Sequence, residues 1–456
     1  MAALFSDKFF YHIYAMGLSG VAKRNDFACP AGDFFARLSG DLDRIRALGC
    51  NAILIGPVFE STSHGYDTVD YFHIDRRLGN NESFSAFCRC CHEKGFSVVL
   101  DAVLNHTGRD FFAFKDIQQH GRESQFAGWY ANLTFGRKSE WGDPFDYEGW
   151  AGHKNLVKLN SANPDVRNHL FAAVRMWIEE FGIDGLRLDA ADVLSKDFLD
   201  ALSSFCRGIK RDFWLMGEVV HGDYRDWARE GRLDSVTNYQ LYKALWSSLN
   251  DQNLFELSYN LERESDAEKG MYKDIALYNF VDNHDVNRAG SVLSSPERHL
   301  PLLYALLFTV PGIPSIYYGS EFGIKGERSD CGDRELRPAL PPFAPAVPER
   351  LRQGFDTGFL PPLIARWARI RREHSALQSG DFSVAFTRNR QCAFWRTNAE
   401  EKLLVVVNAD FAAARVELDA VPSGDYTDVQ TGARFHADSA LRLELAPCTA
   451  LLLRKA

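Results

Sequence analysis

The sequence predicts an α/β fold, a (β/α)8 TIM barrel with an inserted domain after strand 3 and a C-terminal antiparallel β-sandwich. Three observations predict it. Eight short, near-continuous apolar runs recur between turn residues, helical patterns separate them, and the tail of the chain changes to alternating strands.

The eight runs are FYHIYAM (10–16), NAILIGP (51–57), SVVLDAV (97–103), IDGLRLD (183–189), FWLMGEV (213–219), LDSVTNY (233–239), IALYNFV (275–281) and IPSIYYG (313–319). Runs this apolar suit parallel strands covered on both faces. The clearest helix lies at 163–181, where Asn163 caps, Pro164 takes the first helical position, and Val166, Leu170, Val174, Trp177 and Phe181 recur at helical spacing. The apolar stretch 300–318 is broken by Pro301, Pro311, Gly312 and Pro314, and reads as a buried helix followed by a strand, not a membrane span. The interval between the third and fourth strands is the longest. Its middle, GWYANLTFGRKSEWGDPFDYEGWAGH (128–153), fits no barrel helix and should sit over the active face, where βα loops carry specificity. Past a last helix near 365–377, the runs SVAF, CAFWR, KLLVVVN, ARVELDA, LRLEL and TALLLRK form the sandwich. The expected division is therefore a barrel of residues 1–105 and 161–375, an insertion of 106–160, and a sandwich of 376–456.

Composition narrows the function. A chain of 456 residues with 46% hydrophobic content buries a large core. A net charge of -9 without a basic cluster argues against nucleic acid. Nine cysteines form no framework; Cys88, Cys90 and Cys91 sit in a helical run with no matching ligand pair, which makes them buried thiols. Asp7 and Lys8 interrupt the apolar stretch that a signal peptide needs. The expectation is a cytoplasmic protein with no membrane partner, of undetermined oligomeric state.

Four stretches that end strands carry polar side chains suited to glycoside chemistry: DAVLNH (101–106), GLRLDAAD (185–192), MGEV (216–219) and FVDNHD (280–285). In order and spacing they resemble the four conserved segments of the α-amylase family of glycoside hydrolases. The resemblance implies that Asp189 is the nucleophile, Glu218 the general acid/base and Asp285 the stabiliser of an oxocarbenium-like transition state. Arg187, two residues before Asp189 on the same strand face, is expected to hold the nucleophile ionised. By the same likeness His106 and His284 donate to sugar hydroxyls, Tyr66 in HGYDTVDY is the platform under the sugar, and Asp101 orients neighbours such as Arg187. The insertion occupies the place of the family's domain B, and the sandwich that of its domain C.

Two departures refine the reading. The family's main calcium site takes an Asp from LPDLN or LPDLD and a His at the end of the second segment, where this chain has Lys158 in LVKLN (156–160) and Val193. Neither serves a cation that wants oxygens, so no metal and no cofactor are expected. LVKLN, with ANPDVRNHLF and DAADVLSKDFL, resembles the neopullulanase and cyclomaltodextrinase group. The chain begins almost at its first barrel strand, so the N-terminal module by which many of that group dimerise is expected to be absent. The acceptor side lacks the Lys-His pair of true α-amylases, having Asp192 and Val193, and Ala190 is small as in α-1,4-acting relatives. The expected activity is retaining hydrolysis of α-1,4 bonds in short linear or cyclic maltooligosaccharides. A 4-α-glucanotransferase on the same site stays open as an alternative, as does a non-catalytic barrel serving a transporter, although the catalytic trio is intact. Of the insertion's rings, Trp129, Tyr130, Trp141, Phe145, Tyr147 and Trp150, most should form its own core, and if even one or two project into the cleft short oligosaccharides should be preferred over polymer.

Overall fold

Alternation along eight short strands places the active face. In the computed structural model, which describes residues 4–329, 332–340, 347–419 and 421–456, the barrel strands are β1 (Phe10–Ile13), β2 (Ala52–Ile55), β3 (Ser97–Ala102), β4 (Gly185–Leu188), β5 (Trp214–Gly217), β6 (Ser235–Val236), β7 (Tyr278–Phe280) and β8 (Ile313–Tyr317). They pair in parallel in the order β6-β5-β4-β3-β2-β1-β8-β7, and a parallel bridge between Thr237 and Tyr278 brings the two ends together. All eight expected strands are present.

Successive side chains point to opposite faces of a strand. Phe10, Leu54, Val99, Trp214, Met216 and Tyr278 fill the barrel interior, while their neighbours Tyr11, Ile53, Val98, Leu100, Leu215 and Leu186 pack outward under the helices. The inward row turns polar at the C-terminal ends: Val99 is followed two residues on by Asp101, Met216 by Glu218, and Arg187 by Asp189.

Helices Phe34–Ala47, Asn81–Glu93, Pro164–Met176, Lys196–Ile209, Pro296–Thr309 and Leu360–Glu373 cover the sheet, and two, Tyr239–Asn250 and Leu254–Ser265, follow β6. Asn163 accepts from the backbone N–H of Asp165 and Pro164 begins its helix, as the sequence predicts; that helix ends in a π-helical turn, Trp177–Phe181. Strict alternation fails once. Between β5 and β6 there is only a short 3-10 turn, Tyr224–Asp226, because this charged connection has no apolar row long enough to bury a helix face. No helix among the described residues is long and apolar enough to cross a membrane.

The insertion contains a three-stranded antiparallel sheet (His106–Gly108, His153–Lys158, Gly149–Trp150) and a helix, Phe112–His120. Phe114 packs edge-on against Tyr130, Phe145 and Tyr147, which gives this segment a core of its own.

At the C-terminal end, six antiparallel strands pair in the order Asp381–Thr387, Gln391–Thr397, Lys402–Asn408, Thr449–Lys455, Gly424–Asp428, Arg434–Ala437, and Ala414–Leu418 pairs with Leu441–Leu445. Period two splits the faces: Leu403, Val405 and Val407 join the barrel's core, and Leu404 and Val406 pack on the two-stranded ribbon. Strands Gly424–Asp428 and Arg434–Ala437 escape sequence reading because they are short and largely polar. At the joint, two buried guanidiniums cover the end of helix Pro296–Thr309: Arg371 donates to the carbonyl of Phe308 at 3.0 Å, and Arg396, from the sheet, to that of Thr309 at 2.8 Å.

Candidate active site

The inward row brings the predicted residues to one place. The register of β4 sets Arg187 beside Asp101 of β3, and the two pair through Nη1 and Oδ1 at 2.7 Å. The same Nη1 lies 2.9 Å from Asp189 Oδ1, and Nη2 lies 2.9 Å from Glu218 Oε2. Arg187 is 3% exposed, so these charge-assisted contacts form away from solvent. Glu218 receives two further bonds: from the backbone N–H of Ala190 at 3.1 Å and from the Tyr239 hydroxyl at 3.3 Å. Ala190 reaches it from a left-handed backbone, φ 48° and ψ 43°, which is unfavourable for a residue with a Cβ.

Asp285 stands on the other side. His284 Nε2 lies 2.9 Å from its Oδ2, and Arg337 Nη2 lies 2.7 Å from its Oδ1. Tyr66 donates to Asp101 Oδ2 at 2.9 Å and is also bonded to His284 Nε2. Its ring lies within 13° of parallel to those of Tyr14 and His284. The turn that presents Tyr66 needs Gly65, whose φ is +92° and where a Cβ would lie 2.5 Å from Pro57 Cγ. Two buried ring nitrogens, His106 Nε2 and His284 Nδ1, have no protein partner, which leaves them available to a ligand hydroxyl.

Around His106 the insertion contributes Trp150, half-buried, with its ring 5.8 Å away and a second face on His153. Trp129, Tyr130, Phe145 and Tyr147 are buried, whereas Trp141 is exposed with Arg109 over its ring. Lys158 pairs with Glu148 through Nζ and Oε1 at 2.6 Å, and Val193 is exposed.

Burial pushes the Asp189 carboxyl well above the ordinary range, and Glu218 and Asp101 push the same way; Arg187 opposes them. That net direction is opposite to the one expected of Arg187 alone. One guanidinium shared by three carboxyls does not offset the burial of Asp189. At Asp285 burial also acts upward, but His284, Arg337 and Arg187 outweigh it and hold this carboxyl well below the usual range. Burial, with a smaller contribution from His64, brings His106 down to about 3, so its ring is neutral at neutral pH.

All eight residues named from the sequence, Asp101, His106, Arg187, Asp189, Glu218, His284, Asp285 and Tyr66, therefore meet in this one cluster. Sequence reasoning missed Tyr14, Tyr239 and Arg337. Tyr239 follows the sixth strand directly, and Arg337 lies in the loop after the eighth, so the rule that barrel sites gather at the C-terminal ends of strands could have drawn attention to both.

The chain is similar to known proteins along most of its length. Residues 31–418 match the family described as alpha amylase, catalytic domain. A cyclomaltodextrinase of Geobacillus thermopakistaniensis (strain MAS1) is 30% identical over 419 residues, which are 90% of this chain and 68% of that protein. Neopullulanase 2 of Thermoactinomyces vulgaris is 30% identical over 443 residues, 93% of this chain and 72% of its own. The solved structure of the cyclic alpha-maltosyl-(1-->6)-maltose hydrolase of Arthrobacter globiformis superposes with a TM-score of 0.82 at 26% identity and covers 100% of both chains. With a matched segment of this length and an intact barrel around the carboxyl cluster, this chain belongs to the α-amylase family of glycoside hydrolases.

Proposed function

We propose that this chain is a retaining hydrolase of α-1,4-glucosidic bonds in short linear or cyclic maltooligosaccharides, with Asp189 as nucleophile, Glu218 as general acid/base and Asp285 as transition-state stabiliser. The observation that carries the proposal is the single guanidinium of Arg187 shared by Asp189 and Glu218. Two carboxyls held on one guanidinium are near neighbours, which favours the roughly 5 Å spacing of a nucleophile with its acid/base over the ~6.5–9.5 Å that an inverting pair leaves for water.

In the first displacement Asp189 attacks the anomeric carbon while Glu218 gives its proton to the glycosidic oxygen. The C–O bond breaks, its electron pair stays with that oxygen, and the sugar leaves as an alcohol. In the second, water loses a proton to Glu218 as its oxygen displaces Asp189 from the anomeric carbon. Both carboxyls return to their starting state, and two inversions give net retention. Asp285, kept ionised by His284 and Arg337, opposes the positive charge that develops on the ring. His106 and His284 meet hydroxyls with their unpartnered nitrogens, and Tyr66 flanks the same sugar.

Short substrates are favoured by Trp150 beside His106, and by the names of two of the three relatives, a cyclomaltodextrinase and a cyclic alpha-maltosyl-(1-->6)-maltose hydrolase. No calcium enters this mechanism. At the family's main ion position Lys158 already pairs its ammonium with Glu148, and Val193 offers no oxygen, so these residues do not fit the ion. Free thiols, with Cys88 and Cys91 buried on their helix, suit a reducing compartment such as the cytoplasm.

The test is the anomeric configuration of the first product, followed by NMR during cleavage of maltotriose. The α-anomer is expected; β-anomer appearing first contradicts retention and the role of Asp189.

A further inference from the structure

We infer that Arg337 is a positioning residue for Asp285, which rests on the reading of Asp285 as transition-state stabiliser. Its guanidinium makes four contacts. Nη2 lies 2.7 Å from Asp285 Oδ1 and 3.1 Å from Asp333 Oδ2, Nε donates to the main-chain carbonyl of His284 at 3.0 Å, and the group sits 4.8 Å from the centre of the Tyr14 ring.

The contacts to residues 284 and 285 act together. One planar group grips the carbonyl of one residue and the carboxylate of the next, so the peptide between them and the Asp285 side chain are fixed in one arrangement. His284 then takes the other carboxylate oxygen, Oδ2, with the ring that also bonds Tyr66. Asp285 lies beyond the end of β7, where no sheet hydrogen bond holds it. The order that a strand supplies to Asp101 and Arg187 is supplied here by a side chain from the loop after β8. Arg337 is held in turn by Tyr14, whose hydroxyl bonds the carbonyl of His64, and by Asp333. A carboxylate displaced by about 1 Å loses catalysis on the order of a hundredfold, and a mobile Asp285 would be displaced by at least that.

The charge matters as well. The ionisable groups facing Asp285 are His284 beside it, Arg187 on β4, His12 on β1, Tyr14 after β1, Tyr66 from the turn after β2, Tyr239 after β6 and Arg337. Only Arg187, Arg337 and a protonated histidine among them are cations, and Arg187 already serves three other carboxyls. Removal of Arg337 leaves Asp285 without its own permanent cation.

The experiment compares Arg337→Ala, Arg337→Lys, Asp285→Asn and the double variant Arg337→Ala/Asp285→Asn, with maltotriose as substrate and kcat, KM, the pH profile of kcat and Tm as readouts. Arg337→Ala is expected to lower kcat about a hundredfold, to leave KM within about threefold, and to leave in place the acid limb of kcat, which the raised Asp189 sets rather than Asp285. Arg337→Lys is expected to regain part of the loss, since the charge returns, while kcat stays about tenfold below the original because an ammonium cannot hold both acceptors in plane. In the Asp285→Asn background, loss of Arg337 is expected to cost little more, because both changes remove one function. Wild-type kcat in Arg337→Ala, a loss confined to KM, or full multiplication of the two losses overturns the inference. If Arg337→Ala does not fold, Arg337→Lys decides: an unchanged Tm with reduced kcat supports positioning, and wild-type kcat overturns it. Wild-type kcat in Asp285→Asn instead overturns the reading of Asp285, a result distinct from every outcome at Arg337.

Discussion

Arg187 Nη2 lies 2.9 Å from Glu218 Oε2, on the same guanidinium whose Nη1 meets Asp189. The nucleophile and the acid/base therefore share one cation, and a change at either carboxyl alters the field of the other. Replacing Arg187 by Ala leaves the buried Asp101 and Asp189, and the partly buried Glu218, without it. The expected cost is about 3–5 kcal/mol of stability at neutral pH, as for other broken buried pairs, with partial recovery in acid as the carboxyls take up protons. Denaturant titrations at pH 7 and pH 5 check this, and a loss that grows in acid contradicts it.

Asp189→Asn should lower turnover by several orders of magnitude while raising Tm at neutral pH. The folded carboxyl's affinity for protons is raised by burial above that of the unfolded chain. At pH values above the folded value both states are ionised, and the folded state carries the cost of the buried charge; below the unfolded value, about pH 4, both are protonated and the cost is gone. The gain in Tm should shrink as pH falls toward 4. Calorimetry across that range reads it directly. A variant less stable than wild type at pH 7 would show that burial does not dominate at this position.

Glu218→Gln should cripple maltotriose cleavage yet retain useful turnover on an aryl glycoside with a good leaving group, once azide is added. Such a leaving group needs little protonation, and azide attacks the glycosyl-enzyme without a base. A β-azide should fail to form; the product expected from retention is the α-glycosyl azide. No azide product at all would remove Glu218 from the acid/base role.

Chelation should leave the enzyme unchanged. With Lys158 paired to Glu148 at the family's ion position, prolonged EDTA treatment is expected to shift neither Tm nor activity, since a bound ion would add stability by mass action. A drop of several degrees that calcium reverses contradicts the proposal.

Trp150 carries the prediction about substrate size. Trp150→Ala should raise KM for maltotriose about tenfold, equal to ~1.4 kcal/mol, with a smaller effect on kcat. In the intact enzyme, kcat/KM per bond for maltotriose or β-cyclodextrin should exceed that for soluble starch by roughly tenfold. Faster cleavage of starch than of both small sugars would move the specificity toward polymer.

Where local pattern and tertiary placement agree, the sequence was readable. The eight strands announce themselves because both faces of each are buried; Asp101, Asp189 and Glu218 were legible through the resemblance of their segments to the α-amylase family, and Arg187 through its two-residue step from Asp189 along the inward row. Arg337 and Tyr239 are different. Their contacts join a loop and a helix start to carboxyls 52 and 21 residues away in the chain, and no periodicity encodes such a meeting. The pKa direction at Asp189 was also hidden, since it depends on how many acids share one base. The missing helix between β5 and β6 was visible in principle, as that connection lacks a helical apolar row.

The two arginines at the joint between barrel and C-terminal sheet bear on how the molecule unfolds. Arg396 belongs to the sheet yet satisfies a carbonyl at the end of helix Pro296–Thr309, whose next element is β8. The sheet also hydrogen-bonds the barrel's sixth connection, through Ala267 N–H to the carbonyl of Phe382. Pulling the sheet away would strand helix carbonyls in an apolar seam and loosen the strand that closes the barrel between β1 and β7. Sheet and barrel are therefore expected to melt as one cooperative unit, and a shortened chain that ends at the last barrel helix would lose these bonds.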